Sequence, residues 1–246
     1  MADIAIIGGH GITAAGLLED VSLLEAETPF GPPSGLLERG RAPSGEVIFL
    51  SRHGRGNKVP PHRINYRANV HALKQLGVKR VIATAAVGGI TPAMAPGAIA
   101  IPDQIIDYTY GRDHTFFDGD HADAHYVDMT GPFDTPLRAL LLDAAAAAGV
   151  AVVDGGCYAA SQGPRLETAA EIARMERDGC DLVGMTAMPE AALAREAGLA
   201  YAQVAVVANW GAGKSDEEIT LALVEATLSA GFERVAALLH AALGRR

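Results

Sequence analysis

The chain has 246 residues, a formal net charge of -9, 49% hydrophobic and 5% aromatic residues. That is enough for one large α/β domain or two small ones, and too apolar for a disordered chain. The acidic balance disfavours nucleic acid as a partner, because such affinity comes from neutralised phosphates, but it leaves room for a local positive pocket that takes a small anion.

The first segment, DIAIIGG (3–9), reads as a buried strand running into a glycine turn. GEVIFLSRHG (45–54) is a second strand, and INYRANVHALKQLG (64–77) has helical spacing through Ile64, Ala68, His71 and Leu76. VKRVIATAAVGGI (78–90) and GAIAIPDQIIDYT (97–109) are strands, followed by a helix over 135–150 that stops at Gly149. A strand over 151–164, a helix over 167–179, a strand over 180–186, a helix over 189–198 and a strand over 200–210 follow. A closing helix is expected over 215–243. This alternation, with no linker or repeat, predicts one domain over 1–246 of the α/β class, with a mixed, mostly parallel sheet flanked by helices. No apolar run is long enough to cross a bilayer and no basic-then-apolar leader opens the sequence, so a cytoplasmic protein without a membrane partner is expected. Cys157 and Cys180 form no CxxC and suggest neither a zinc knuckle nor a disulfide framework.

In such sheets ligands collect at the carboxyl ends of strands. Here those ends read Gly8-Gly9-His10, Arg52-His53-Gly54, Thr84-Ala85-Ala86, Met185-Thr186 and Asn209-Trp210. Gly9-x-Gly11-x-x-Ala14 imitates a dinucleotide fingerprint, but the second strand ends in Arg52-His53 and not in the acidic residue that a ribose requires. The turn is therefore either a backbone cradle for a small anion, helped by Thr13, or a plain tight turn. Arg52 and His53 suit phosphate oxygens, the alternative being a solvated loop. Between Val47 and Pro102 there is no Asp or Glu, yet eight Lys and Arg residues. That leaves these cations without a sequence neighbour of opposite charge and favours an external anion, unless tertiary carboxylates pair with them. Glu167 is either a helix-start carboxylate or a ligand group. Thr186 and Asn209 are either caps and turn residues or part of a site, and their joint pattern favours the site. The stretch over 113–128, with its five aspartates and three histidines, has no metal-ligand spacing and reads as a polar surface loop, with no metal expected.

Taken together, IIGGHG, SRHGRGNKVPPHRINYRANVHALKQLG, ATAAVGGI, PGAIAIPDQIID, FFDG, GPRLETAAEI, DLVGMTAMPEAALAREAGLAYA and VVANW resemble the trimeric purine nucleoside phosphorylase and methylthioadenosine phosphorylase family. The resemblance covers residue 4 to about residue 214. It implies a nucleoside phosphorylase-like fold, a homotrimer, and phosphorolysis of a purine nucleoside with phosphate as co-substrate and no other cofactor. Carried over by position, it implies that Arg52, His53 and Thr186 hold phosphate, closed by Gly8, Gly9, Gly11, Ala85 and Ala86. It places Met185 against the ribose and gives Glu167 and Asn209 the base, with Trp210 and Gly211 beside them. His125 or Tyr126 would reach a neighbouring subunit's site. Two departures stand out: His10 replaces the usual Ser or Thr, so that Thr13 is the alternative phosphate contact, and Leu166 replaces the usual Phe on the purine, weakening the stacking.

The aspartates with which methylthioadenosine phosphorylases read adenine are replaced here by Asn209-Trp210-Gly211. An ionised Glu167 only accepts and suits the N1–H of a 6-oxopurine, while Asn209 can donate to O6 and accept from N7–H. Adenine presents N1 as an acceptor, and unpaired groups of this kind discriminate by about 10⁴-fold. The sugar-side segment is closer to the methylthioadenosine phosphorylases. On the closing helix Ile219, Ala222 and Leu223 share one apolar face, which is either plain core or the lining of a 5′-methylthio pocket. A 6-oxopurine with an apolar 5′ group makes 5′-methylthioinosine the expected substrate. The alternatives are a general inosine/guanosine phosphorylase, a methylthioadenosine phosphorylase, a hydrolytic nucleosidase and a non-catalytic sensor.

Overall fold

A computed structural model describes residues 2–9, 11–119, 126–216 and 221–244, with the side chains of Ala15, Leu221, Ala222 and Leu223 left aside. Strand β1 (Ile4–Gly8) is buried throughout, because parallel neighbours on both edges leave it two apolar faces. Those neighbours are β4 (Gly45–Ser51) and β5 (Arg80–Gly89). A hairpin-like pair, β2 (Glu19–Leu24) and β3 (Leu37–Ala42), extends the sheet beyond β4. The sequence pattern did not reveal this pair: β2 is charged and mostly exposed, so the apolar alternation that marks a strand is missing at this edge.

The segment expected as one strand over 97–109 is two, β6 (Ile99–Ile101) and β7 (Gln104–Asp107), parted at Pro102, which has no N–H for a ladder. Likewise 151–164 yields β8 (Val153–Asp154) and β9 (Cys157–Ala160), divided by Gly155 and Gly156, both at positive φ. The last strands are β10 (Leu182–Gly184) and β11 (Ala200–Trp210).

Among the described residues eleven strands join one sheet, in the order β2-β3-β4-β1-β5-β10-β9-β7, with β11 pairing both β5 and β6, and β8 on β6. β5 is the hub: its first half pairs β1, most of its length pairs β11, and Gly88 and Gly89 pair β10. A Cβ on Gly89 would lie 1.8 Å from the backbone oxygen of Met94, so only glycine fits where the sheet forks.

Helices α1 (Tyr66–Gln75), α2 (Thr135–Ala147), α3 (Ala169–Arg177), α4 (Ala187–Glu196) and α5 (Leu221–Leu243) cover the sheet. Alternation along the strands divides them: Ile4 and Ile6 face α2 and α5 through Leu141, Val235 and Leu239. Ala5 and Ile7 face α1 and α4 through Val70, Leu73 and Leu193. Asn65, Asp134 and Thr168 start α1, α2 and α3 by accepting a backbone N–H from three residues on.

The tertiary fold also resolves the concentration of cations. Arg67 pairs Asp113 and Asp118, each at 3.0 Å, and Arg80 pairs Asp3 at 2.6 Å. Two of the aspartates in the 113–128 stretch thus serve an arginine. Among the described residues no group of three or more metal-ligating side chains is assembled.

Candidate active site

The carboxyl ends of β4, β5, β10 and β11 converge on a cavity of about 220 Å3. Gly9, Arg52, His53, Ala85, Ala86 and Thr186 bring its polar, backbone-rich end. Met185 joins them beside Thr186, and Leu166, Glu167, Asn209 and Gly211 reach the same cavity from two other segments.

Arg52 is fully buried. Its Nε and Nη2 donate to Glu190 at 2.7 and 2.9 Å, and Nη1 donates to the Thr84 carbonyl at 2.8 Å. For Arg52 the alternative left open by the sequence, a tertiary carboxylate, therefore holds. Glu190, 138 residues away in sequence, supplies one from α4, where its own side chain is also wholly buried. Burial alone would disfavour the charged guanidinium, but the adjacent Glu190 carboxylate outweighs it and raises the pKa of Arg52. Tyr201 donates to the same carboxylate at 2.8 Å, and burial raises that phenol well above its ordinary pKa, so it stays a donor. Three of the five guanidinium N–H groups are used, leaving two for another acceptor. One side of that remaining edge looks onto Gly9, where an added Cβ would sit 3.3 Å from Nη1.

His53 Nδ1 lies 2.8 Å from the Val59 carbonyl, which can only accept, so Nδ1 carries the proton and the tautomer is fixed. Thr186 occupies the N-cap position of α4, but its side chain makes no cap bond. Its backbone N–H donates to Tyr158 Oη at 3.5 Å.

At the other end, Ser161 Oγ donates to Glu167 Oε1 at 2.5 Å. Asn209 Nδ2 donates to the Trp210 carbonyl at 2.6 Å. The register of β11 shifts between Val207 and Asn209, so Ala208 and Asn209 both face the cavity, which simple alternation would forbid. Leu166 is 53% exposed at the rim. Arg165 grips Glu171 with two bonds of 2.8 and 2.7 Å, anchoring the turn that carries Leu166 and Glu167 onto α3. Hydrogen bonding from Arg165 holds the Glu171 carboxyl down to about 2. The contribution of this exposed pair is present above the ordinary carboxylate range and is lost progressively as pH falls from there through about 2.

Four expected residues lie off this cavity wall: Gly8 and Gly11, which pack against Phe49 and Phe232, and Thr13 and Trp210. Ile12 and Ala14 turn into the core, so Thr13 between them faces outward, and Trp210 falls on the opposite side of the chain from Asn209 and Gly211. His10, Ile219 and His125 lie outside the described residues, as does the side chain of Leu223. Among the described side chains of α5, Val224 lines the cavity.

Sequence reasoning also missed the group that ties the two ends together. Arg112 is nearly buried and donates to the backbone oxygens of Ser161, Gln162, Met185 and Met188, at 3.2, 2.7, 2.9 and 2.6 Å. It thereby flanks Thr186 on both sides and holds the strand end that leads to Glu167. Its guanidinium also lies over the Tyr66 ring. Backbone acceptors carry no residue signature, so no motif announces this role.

The Phosphorylase superfamily matches residues 3–244 of the chain. The chain belongs to that family. A probable S-methyl-5′-thioinosine phosphorylase of Xanthomonas campestris pv. campestris is 52% identical over 92% of this chain and 91% of its own length. A probable 6-oxopurine nucleoside phosphorylase of Thermococcus kodakarensis is 44% identical over 89% of this chain and 84% of its own. Among solved structures, methylthioadenosine phosphorylase from Schistosoma mansoni in complex with adenine superposes with a TM-score of 0.94. It is 33% identical, over 99% of this chain and 91% of that one. By family and fold the protein is a nucleoside phosphorylase, a pentosyltransferase that uses phosphate.

Proposed function

We propose that this phosphorylase catalyses the reversible phosphorolysis of S-methyl-5′-thioinosine, giving hypoxanthine and 5-methylthioribose 1-phosphate in purine and methylthio salvage. The observation that carries the reading is one cavity that joins Glu167 and Asn209 to Arg52, His53 and Thr186. With Oε1 occupied by Ser161, Glu167 offers Oε2 to the N1–H of hypoxanthine. One amide hydrogen of Asn209 goes to Trp210, which sets the amide plane and leaves a second N–H for O6 and Oδ1 for N7–H. Phosphate takes the two remaining Arg52 N–H groups, with His53, Thr186 and the Gly9, Ala85 and Ala86 backbone around it.

In this reading the glycosidic bond loosens first and the sugar gains oxocarbenium character. The phosphate beneath stabilises that charge and attacks C1′. Asn209 holds the departing base most strongly once N7 is protonated, so its effect falls on the transition state. No protein nucleophile, metal or organic cofactor takes part. The apolar Val224 on the cavity wall and the 52% identical relative support a methylthio group at the 5′ end. The Thermococcus kodakarensis relative keeps a general 6-oxopurine nucleoside phosphorylase as the second reading. A cytoplasmic homotrimer completes the proposal. Tyr126, 96% exposed, and Tyr110, 72% exposed, are large side chains left for another subunit to cover, which supports this part of the proposal.

The reaction class is tested by incubating the protein with S-methyl-5′-thioinosine with and without phosphate. Hypoxanthine release that requires phosphate, with a sugar 1-phosphate formed in equal amount, is expected. Release at the same rate without phosphate would identify a hydrolase and overturn the roles given to Arg52 and His53.

A further inference from the structure

Glu167 sits on a partition. It lines the main cavity, and it also lines a smaller one of about 90 Å3 formed with Tyr108, Tyr110, Ser161, Arg165 and Met175, so Ser161 holds it from the small-cavity side. A carboxylate in that position has two places to go. One faces the main cavity and the other faces the small cavity and Arg165.

One hydroxyl decides between them. Ser161 is buried, and its backbone is fixed from both sides: its N–H donates to the Gly184 carbonyl at 2.8 Å, and its carbonyl accepts from Arg112 at 3.2 Å. Its single hydroxyl proton has two acceptors in reach, Glu167 Oε1 at 2.5 Å and the Gly184 carbonyl at 3.4 Å. The Gly184 oxygen already takes the Ser161 N–H, and the carboxylate is nearer and charged, so the proton goes to Glu167. We infer that Ser161 is a positioning residue that sets base specificity, by pinning Oε1 of Glu167 so that Oε2 faces the purine as an acceptor. This rests on the proposed base-reading role of Glu167 and adds the group that makes it selective. A hydroxyl cannot be replaced here by an apolar side chain of similar size, because the carboxylate would then be held only by its own torsions.

The test compares wild type, Ser161→Ala and Ser161→Thr with S-methyl-5′-thioinosine and 5′-methylthioadenosine at saturating phosphate, together with the KM for phosphate. A lost hydrogen bond to a charged group corresponds to roughly a tenfold to hundredfold change. Ser161→Ala is expected to lose that much kcat/KM for the 6-oxopurine, mostly through the nucleoside KM, with the 6-oxo to 6-amino ratio falling in step. The phosphate KM stays within twofold, and Ser161→Thr, which keeps the hydroxyl, recovers the ratio. If wild type prefers the 6-oxopurine and Ser161→Ala keeps that preference, the role of Ser161 is overturned alone. Equal losses with both nucleosides and with phosphate would likewise overturn it, as the mark of a purely structural residue. A wild type without 6-oxopurine preference would overturn the reading of Glu167 and this role with it.

Discussion

Glu190→Ala is expected to destabilise the fold by about 3–5 kcal/mol, the usual cost of stranding one member of a buried ion pair. The variant leaves the buried Arg52 guanidinium with the Thr84 carbonyl as its one remaining acceptor of the three bonds seen, and it removes the acceptor of the Tyr201 hydroxyl. Against a net stability of about 5–15 kcal/mol this is a large fraction, and it will show as a lower urea midpoint. Replacing both partners, as Arg52→Met with Glu190→Met, is expected to recover most of the lost stability, because a well-packed apolar pair replaces a buried ion pair at little cost. Phosphate use should not recover in that double variant. The two readouts separate what Glu190 does for the fold from what Arg52 does for the anion. A Glu190→Ala protein as stable as wild type would contradict the account of this pair.

Asn209→Ala is expected to lower kcat by about 10²–10³-fold, the range found when a donor that acts on developing charge is removed. The bulge in β11 aims Asn209 into the cavity, and its bond to Trp210 fixes the plane of the amide. Both features preorganise a group whose strongest partner, a protonated N7, exists only as the base departs. The loss should therefore fall on kcat, with the nucleoside KM changed by a small factor. Thermal stability should hardly change, since the side chain is only partly buried and its one bond is to a neighbouring carbonyl. A variant with unchanged kcat would remove Asn209 from the chemistry.

Much of this architecture was legible from glycine turns that follow apolar strands. DIAIIGG, VIATAAVGGI and the strand before Asn209 gave β1, β5 and β11, and their ends form the cavity. What was not legible has physical reasons. The Arg52–Glu190 pair joins residues 138 apart, and a carboxylate inside PEAALARE reads as the solvated side of a helix. The flanking alanines, Ala187, Ala191 and Ala194, are all buried, and a lone charge among small apolar residues was the available hint. Arg112 works mainly through backbone oxygens, and those partners leave no trace in residue types. The edge pair β2–β3 escaped because its exposed strand carries no apolar stripe.

The central claim is a site that reads a 6-oxopurine at one end and an apolar 5′ group at the other. The most direct measurement is kcat/KM for S-methyl-5′-thioinosine, inosine and 5′-methylthioadenosine under saturating phosphate. The account predicts S-methyl-5′-thioinosine far ahead of both, with 5′-methylthioadenosine behind by up to about 10⁴-fold, the discrimination available to a site whose polar groups are left unpaired. Inosine turned over equally well would contradict the apolar 5′ pocket, and 5′-methylthioadenosine turned over best would contradict the roles given to Glu167 and Asn209.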